Sequence, residues 1–223
     1  MTCSVTATKP SVTALHVGTS GWGYPSWQPG FYPAGLDRSE FLSFYAGHLQ
    51  AVELNATKYR LPSEDQFRSW AAQVPDGFRF AVKAPPGVER RLDTFQERVL
   101  ALGDRLGCVR VVVERPRDEG LLELLLGSAD PAIRVALDLR DASWDGVEER
   151  VGAAGATRVG DTSGRSGWAY LRFRELRYTE AEVASIVGEL NRLAAAGVET
   201  FAFFRHGDAP DAVAAAIEVR QRS

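Results

Sequence analysis

Cysteine and histidine are scarce in this chain of 223 residues, which contains two of the former and three of the latter. Cys3 and Cys108 argue against a disulfide framework, and Cys3 falls in a Thr- and Ser-rich lead-in, so we expect free thiols in a reducing compartment. These five residues are too few and too scattered in the sequence to suggest a zinc site built from Cys and His side chains. We therefore predict neither a bound metal nor another cofactor.

Long apolar runs are also absent, since no stretch approaches the 18 residues that a membrane-spanning helix needs. Residues 1–14 lack the apolar core of a signal peptide, so we expect a disordered leader and a cytoplasmic protein. The 26 basic and 29 acidic residues give a formal net charge of −3. That balance argues against a broad surface for nucleic acid or anionic membranes, but it permits a local basic site.

The chain does contain a regular alternation of short β-branched runs and longer amphipathic stretches. The predicted strands are His16–Ser20, Ala51–Asn55, Phe78–Lys83, Val109–Glu114, Arg134–Leu139, Ala156–Gly160, Ala169–Phe173 and Thr200–Arg205. The predicted helices are Ser39–Leu49, Ser63–Gln73, Leu92–Leu106, Asp118–Leu126, Trp144–Ala153, Thr179–Ala196 and Ala209–Arg220. With no linker or repeat beyond this unit, residues 15–223 are expected to form one domain.

Strict alternation predicts parallel strands, because neighbouring parallel strands need a crossover. Eight strands are the number that closes a (β/α)8 TIM-barrel-like fold. Only eight residues separate Gly160 from Ala169, fewer than a helical crossover uses. We therefore predict a compact barrel without its sixth helix, and an open doubly wound sheet is the alternative.

Several helix boundaries carry recognisable chemistry. Ser63 with Gln66, and Thr179 with Glu182, fit the capping box at a helix start. Four glycines follow predicted helices, where a left-handed residue commonly ends the helix. They are Gly107, Gly127, Gly155 and Gly197.

Polar residues gather where the predicted strands end. The pairs Glu53/Asn55, Asp138/Arg140 and Arg172/Arg174 are each spaced by two, so both members of a pair face the same way. Other strand ends carry Lys83, Glu114, Arg115, Asp161, Arg205, His206 and Asp208. Barrel enzymes build their sites at this end of the strands.

Two interpretations of these residues remain open. One is an ion-pair network that plugs the barrel mouth. The other is a ligand site, and since basic side chains outnumber acidic ones there, an anion is the expected ligand. The residues predicted to bind it are Thr19, Ser20, Trp22, Tyr24, Asn55, Tyr59, Lys83, Arg115, Arg140, Trp144, Arg172, Arg174, Arg205 and His206.

The segment Gly18–Tyr24 and the carboxylates supply the remaining hypotheses. Backbone amides of this glycine-rich segment could cradle an anion, or the segment could be a tight turn whose aromatic side chains cover the rim.

The candidates for general acid or base are Glu53, Asp138 and Asp161, because burial and neighbouring charges shift the pKa of carboxyl groups.

At these residues the sequence resembles the YecE-like family of uncharacterised barrels, DUF72. The shared motifs include Gly18-Thr19-Ser20-Gly21-Trp22-x-Tyr24-x-x-Trp27, Glu53-Leu54-Asn55-x-Thr57-x-Tyr59, Asp138-x-Arg140-x-x-Ser143-Trp144 and Tyr170-x-Arg172. The resemblance covers nearly the whole chain from His16. It implies a TIM-barrel-like fold and no settled activity.

Departures from the family pattern shape the functional hypotheses. After strands seven and eight the family's residues are replaced here by Arg174-Glu175 and by Arg205-His206-Gly207. We predict a barrel that binds, and in one version transforms, a small anionic or phosphorylated ligand. The alternatives are a non-catalytic binding or scaffold barrel with a degenerate site, and binding of nucleic-acid phosphate by analogy with endonuclease IV-like barrels. Oligomeric state is left open.

Overall fold

A computed structural model provides the three-dimensional structure, and it describes residues 14–55, 61–205, 207 and 209–223. The strands are β1 Leu15–Thr19, β2 Ala51–Leu54, β3 Arg79–Lys83, β4 Leu106–Val113, β5 Val135–Leu139, β6 Thr157–Arg158, β7 Trp168–Phe173 and β8 Glu199–Phe204. The α-helices of the described residues are α1 Phe41–Ala46, α2 Glu64–Ala72, α3 Leu92–Leu100, α4 Glu119–Gly127, α5 Glu148–Ala153, α6 Glu180–Ala195 and α7 Asp211–Arg222.

The eight strands form one parallel sheet in the order β6-β5-β4-β3-β2-β1-β8-β7. The first and last strands of that order approach each other, and Gly160 N–H donates a hydrogen bond to Tyr170 O at 2.9 Å. The sheet is therefore rolled into a nearly closed barrel, which confirms the predicted fold class. The open doubly wound sheet is not what forms.

The predicted loss of the sixth helix is confirmed. After the two-residue strand β6, the chain returns to β7 without a helix. A side chain on Gly164 would lie 2.7 Å from Val198, so this connection packs tightly beside the start of β8. Indole N–H of Trp168 then donates to Gly155 O at 3.0 Å, which anchors the beginning of β7.

The barrel interior combines small side chains from one side with aromatic side chains from the other. Ala51, Ala81, Cys108 and Ala136 come from β2 to β5. Facing them are Trp168, Tyr170, Phe201 and Phe203 from β7 and β8. This pairing of small with large side chains fills the interior below the carboxyl ends of the strands, so the barrel is a packed core rather than a pore.

Helix boundaries follow the predicted chemistry in part. Thr179 and Glu182 form the full capping box of α6, with Thr179 N–H donating to Glu182 Oε2 at 2.7 Å. Ser63 Oγ accepts from Gln66 N–H at 3.3 Å at the start of α2. Among the four glycines, Gly155 and Gly197 have the left-handed φ that was predicted.

The predictions for Gly107 and Gly127 were wrong. Helix α3 ends at Leu100, and β4 begins at Leu106 rather than Val109. Gly107 thus lies inside a strand, where a Cβ would come within 2.6 Å of the Phe201 ring, so close packing rather than φ requires glycine there. Gly127 is the last residue of α4 itself.

Candidate functional site

Charged side chains occupy the layer of the barrel just above the packed interior. They come from β2, β3, β4, β5 and β7 and from the residues that directly follow β5 and β7. Their shared parity turns them inward. We call this group, with one tyrosine, the mouth cluster: Glu53, Lys83, Arg110, Asp138, Arg140, Tyr170, Arg172 and Arg174.

Arg110 lies at the centre of the mouth cluster and has no exposed surface. Its Nη1 donates to Glu53 Oε2 at 3.1 Å, while Nε donates to Asp138 Oδ2 at 3.1 Å and Nη2 donates to the same oxygen. Arg110 is not among the site residues predicted from the sequence. The available signal was a single arginine inside the otherwise apolar strand Leu106–Val113.

Glu53 is likewise fully buried. Its Oε2 accepts a hydrogen bond of 2.5 Å from the Tyr170 hydroxyl, and burial together with the Glu53 charge raises the pKa of Tyr170 well above its usual value. Its Oε1 lies 3.4 Å from Arg172 Nη1 and accepts no hydrogen bond from the described residues. Glu53 therefore holds arginine and tyrosine side chains in place, out of contact with bulk solvent.

Three arginines converge on one oxygen of Asp138. Arg110 hydrogen bonds to Oδ2, and Nη2 of both Arg140 and Arg174 lies 3.5 Å from it. Burial raises the pKa of Asp138, but the hydrogen bonds and charges of the three guanidinium groups outweigh it and leave the pKa below its usual value. Asp138 is thus an anion surrounded by more cations than it can neutralise.

Burial and the neighbouring cations lower the pKa values of Lys83 and Arg172. Burial lowers the pKa of Lys83, and Arg110, Arg172 and Arg140 lower it further against the opposing effect of Glu53. Burial also lowers the pKa of Arg172. Within the described residues, the five cations of the mouth cluster face three carboxylates, those of Glu53, Asp138 and Glu114, and Glu114 pairs with Arg140 at 2.9 Å.

Solvent reaches the mouth cluster mainly through two of its arginines. The side chains of Arg140 and Arg174 are 38% and 48% exposed. Arg172 is almost buried, and its Nη2 donates to Ser20 Oγ at 2.8 Å. Arg140 and Arg174 are therefore the guanidinium groups that a ligand entering the mouth would meet.

The segment after β1 forms a tight turn, in which Gly21 N–H donates to Thr19 O at 3.0 Å and Tyr24 N–H donates to Trp22 O at 2.9 Å. Anion binding by its backbone amides stays a prediction. Tyr24 hydroxyl donates to Ser20 O at 3.0 Å, and burial followed by the charge of Glu53 raises its pKa to about 12. Trp22 packs edge-on against Trp70 at 5.5 Å. Ser20 and Tyr24 thus border the mouth cluster, whereas the Trp22 ring packs against α2.

Other predicted residues lie away from the mouth cluster. Thr19 and Trp144 have no exposed surface: Thr19 Oγ1 bonds to the Tyr45 hydroxyl, and Trp144 donates to Arg115 O. The structure therefore does not bring these two side chains to the mouth.

The remaining predictions concern polar residues around the rim. Asp161 accepts from Ser163 N–H at 2.9 Å and pairs with Arg165 at 3.8 Å. Arg115 pairs with Glu89 at 3.5 Å. Arg205 is exposed and Asn55 is half-buried. Tyr59, His206 and Asp208, with residues 1–13 of the predicted leader, lie outside the described residues.

Within the described part of the chain, no group of three or more His, Cys, Asp and Glu side chains is placed to hold a metal ion. The donor set at the mouth is dominated by guanidinium groups, which repel cations and bind carboxylate or phosphate oxygens. Nor does any helix of the described residues have the length and apolar character needed to cross a membrane.

The fold and the site together define a parallel β/α barrel of eight strands with an arginine-rich mouth. A family described as "Protein of unknown function DUF72" matches residues 16–223, and the chain belongs to that family. This confirms the resemblance found in the sequence motifs.

Relatives of known sequence and structure agree with this assignment. UPF0759 protein YecE of Escherichia coli K12 is 28% identical over 102 residues, which is 42% of this chain and 35% of that protein. UPF0759 protein YunF of Bacillus subtilis is 30% identical over 74 residues, 33% of this chain and 25% of that protein. The matched segment thus spans about a third or less of these curated relatives.

Two solved structures share the fold. A DUF72 family protein of Thermotoga maritima superimposes with a TM-score of 0.78 at 22% identity, covering 93% of this chain and 98% of that one. A DUF72 family protein of Enterococcus faecalis gives 0.75 at 15% identity, with 94% and 97% covered. At these identities the likeness establishes the barrel alone.

Proposed function

We propose that this DUF72 barrel binds a small anion carrying a phosphate or carboxylate group at the C-terminal mouth of the barrel. The observation that carries the proposal is the convergence of Arg110, Arg140 and Arg174 on a single oxygen of Asp138. Arg110 is also bonded to Glu53 and Arg140 to Glu114, whereas Arg174 lies 3.5 Å from Asp138 and pairs with no other carboxylate of the described residues. An anion at the mouth would supply closer acceptors for Arg174 and for Nη2 of Arg140.

The two exposed arginines have donors to spare. Charge-assisted N–H···O hydrogen bonds are about 2.7–2.9 Å long, whereas Arg140 and Arg174 stand 3.5 Å from Asp138. Each guanidinium is a planar fork suited to two oxygens of one phosphate or carboxylate. A ligand between them can accept from Nη2 of each arginine while the 2.9 Å bond from Arg140 Nη1 to Glu114 stays in place.

Lys83 gives independent support from electrostatics. Its pKa is depressed by burial and by the neighbouring arginines. An anion at the mouth offsets the charge of those arginines, so its binding is expected to raise the pKa of Lys83. Anion binding and protonation of Lys83 therefore favour each other.

Binding suits the geometry better than proton transfer by Glu53. That carboxylate has no exposed surface and is already bonded to Arg110 and Tyr170. Asp138 is covered by three arginines in the same way. Glu53 and Asp138 thus hold the cationic side chains in position. A role for Asp161 in acid–base chemistry stays a prediction.

The test is isothermal titration calorimetry with inorganic phosphate, a sugar phosphate and a dicarboxylate. Hydrogen bonds to charged groups contribute about 1.5–3 kcal/mol, so Arg174→Gln is expected to weaken phosphate binding by about 10- to 100-fold. Arg68→Gln is the matched control, because Arg68 is exposed on α2 and pairs with Glu64. Its affinity should equal that of the unaltered protein.

The proposal fails if no anion binds, or if Arg174→Gln and Arg68→Gln bind phosphate equally. A short oligonucleotide run in parallel separates the nucleic-acid alternative. Steeply salt-dependent binding of the oligonucleotide, tighter than that of the small phosphates, would favour that alternative instead.

A further inference from the structure

A cavity of about 420 Å³ adjoins the mouth cluster on the side of β3 and β4. Its lining includes Lys83, which interacts electrostatically with Arg110 and Glu53. It also includes Arg115 and Glu89, which pair at 3.5 Å. The cavity thus shares Lys83 with the mouth cluster and Arg115 with the rim.

The middle of the cavity is apolar. Val111 and Val113 of β4 form its floor, Leu121 and Leu125 of α4 form one wall, and Val88 lies on the segment that follows β3. These five side chains are all less than a tenth exposed. The lining thus combines these buried apolar side chains with the charged residues Lys83, Glu89, Glu114 and Arg115.

The volume is large enough for part of a ligand. Small-molecule pockets in proteins span about 300–1,000 Å³ and are mostly apolar with a few placed polar groups. At about 30 Å³ per water molecule of the liquid, 420 Å³ corresponds to roughly 14 waters. A group of several carbon atoms therefore fits beside the anion site.

We propose that the ligand of this barrel is an amphipathic anion whose apolar group occupies this cavity while its charged group binds at Lys83, Arg140 and Arg174. This inference rests on the proposed anion binding and adds the chemical class of the substituent. The physical basis is that Lys83 belongs both to the cavity and to the mouth cluster. Val111 and Val113 face the helix layer while the mouth cluster faces the barrel interior, so a molecule that contacts both regions would pass over the rim beside Lys83.

A homologous series tests the inference: inorganic phosphate, then methyl, ethyl, propyl and butyl phosphate, titrated by calorimetry. Each buried methylene contributes about 0.8 kcal/mol, which is about a fourfold gain in affinity per carbon. Acetate to pentanoate, measured alongside, shows whether the charged group is a phosphate or a carboxylate.

Leu121→Trp fills the cavity and should abolish the dependence on chain length. Leu124→Trp is the matched control, because Leu124 lies on the same helix, is 38% exposed and does not line the cavity. It should keep the full dependence. If Leu121→Trp does not fold by circular dichroism, Leu125→Trp fills the same space from the next turn of the helix.

The outcomes separate this inference from the proposed function. Phosphate binding with the same affinity for every chain length overturns the inference and leaves anion binding intact. A gain with chain length that survives in the cavity-filling variant also overturns it, because the substituent then lies elsewhere. Failure of every anion to bind removes the proposed function and the inference together.

Discussion

Replacing Arg110 with methionine removes the cation that contacts both buried carboxylates of the mouth cluster. Removing one partner of a buried ion pair costs about 3–5 kcal/mol, because the other charge is left in a medium of low polarity. Here Glu53 keeps Arg172 at 3.4 Å, and Asp138 keeps Arg140 and Arg174 at 3.5 Å. We therefore expect the lower end of that range, a loss of about 3 kcal/mol in the free energy of unfolding.

The loss should also depend on pH in a defined direction. In the unaltered protein the pKa of Asp138 is lowered, so its contribution to stability is present above the unfolded pKa and is lost as pH falls through the folded value. In Arg110→Met burial is no longer outweighed, so the folded pKa rises and protonation stabilises the variant as pH falls. The stability difference should shrink between pH 7 and pH 4.

Urea unfolding followed by tryptophan fluorescence measures both effects. A loss of about 3 kcal/mol corresponds to roughly 6–12 °C in Tm for a chain of this size. Arg68→Met, at an exposed pair on α2, should change stability by less than about 0.5 kcal/mol. A loss below about 1 kcal/mol in Arg110→Met, or one that does not shrink in acid, would contradict this prediction.

Two further predictions concern the fold. The hydrogen bond from His16, followed by Arg134, lowers the pKa of Glu199 to about 2, so this carboxylate stabilises the protein above about pH 4.5 and ceases to do so as pH falls towards 2. Because its side chain is 31% exposed, screening reduces the effect, and Glu199→Gln should cost about 1–2 kcal/mol at pH 7 and nothing near pH 2 in urea titrations. A Cβ on Gly18 would lie 1.9 Å from the backbone of β2, so Gly18→Ala should lose about 3 kcal/mol in thermal denaturation, whereas Gly188→Ala, in open space on α6, should gain about 0.5–1 kcal/mol.

Each of these predictions has a contrary result. Equal loss for Glu199→Gln at pH 7 and at pH 2 would mean that packing, not charge, accounts for its effect. Similar Tm values for Gly18→Ala and Gly188→Ala would mean that the close approach of β1 and β2 is relaxed without cost.

The sequence predicted the barrel because its evidence is local and repeated. Strand and helix patterns alternate along the whole chain, and the short connection between Gly160 and Ala169 already implied a missing helix. For the site, the sequence placed Glu53, Asp138 and Arg172 at the carboxyl ends of the strands, each facing the same way as the residue two positions later, and in the structure these three belong to one cluster. Side-chain direction within a strand follows from a period of two, which the sequence displays.

Arg110 was missed because its importance arises from distant residues. It meets Glu53 across 57 positions and Asp138 across 28, through contacts that only barrel closure creates. Thr19 was predicted to be a site residue but does not belong to the mouth cluster. It lies at the end of β1, but its side chain faces away from the barrel interior and bonds to the Tyr45 hydroxyl. A pattern of residue types at strand ends thus identifies the end of the barrel that carries the site, but not which side chains meet.

The join between β6 and β7 has a consequence for how the barrel comes apart. Those strands are the two ends of the sheet order, and β6 contributes only two residues to its ladder with β5. In a fully closed barrel every strand is hydrogen bonded to a neighbour on both sides, so a complete ladder must break before any strand can leave. In a sheet that is rolled until its edge strands meet, those two edge strands can separate first. We therefore expect local opening to start between β6 and β7, on the same side as the arginines of β7.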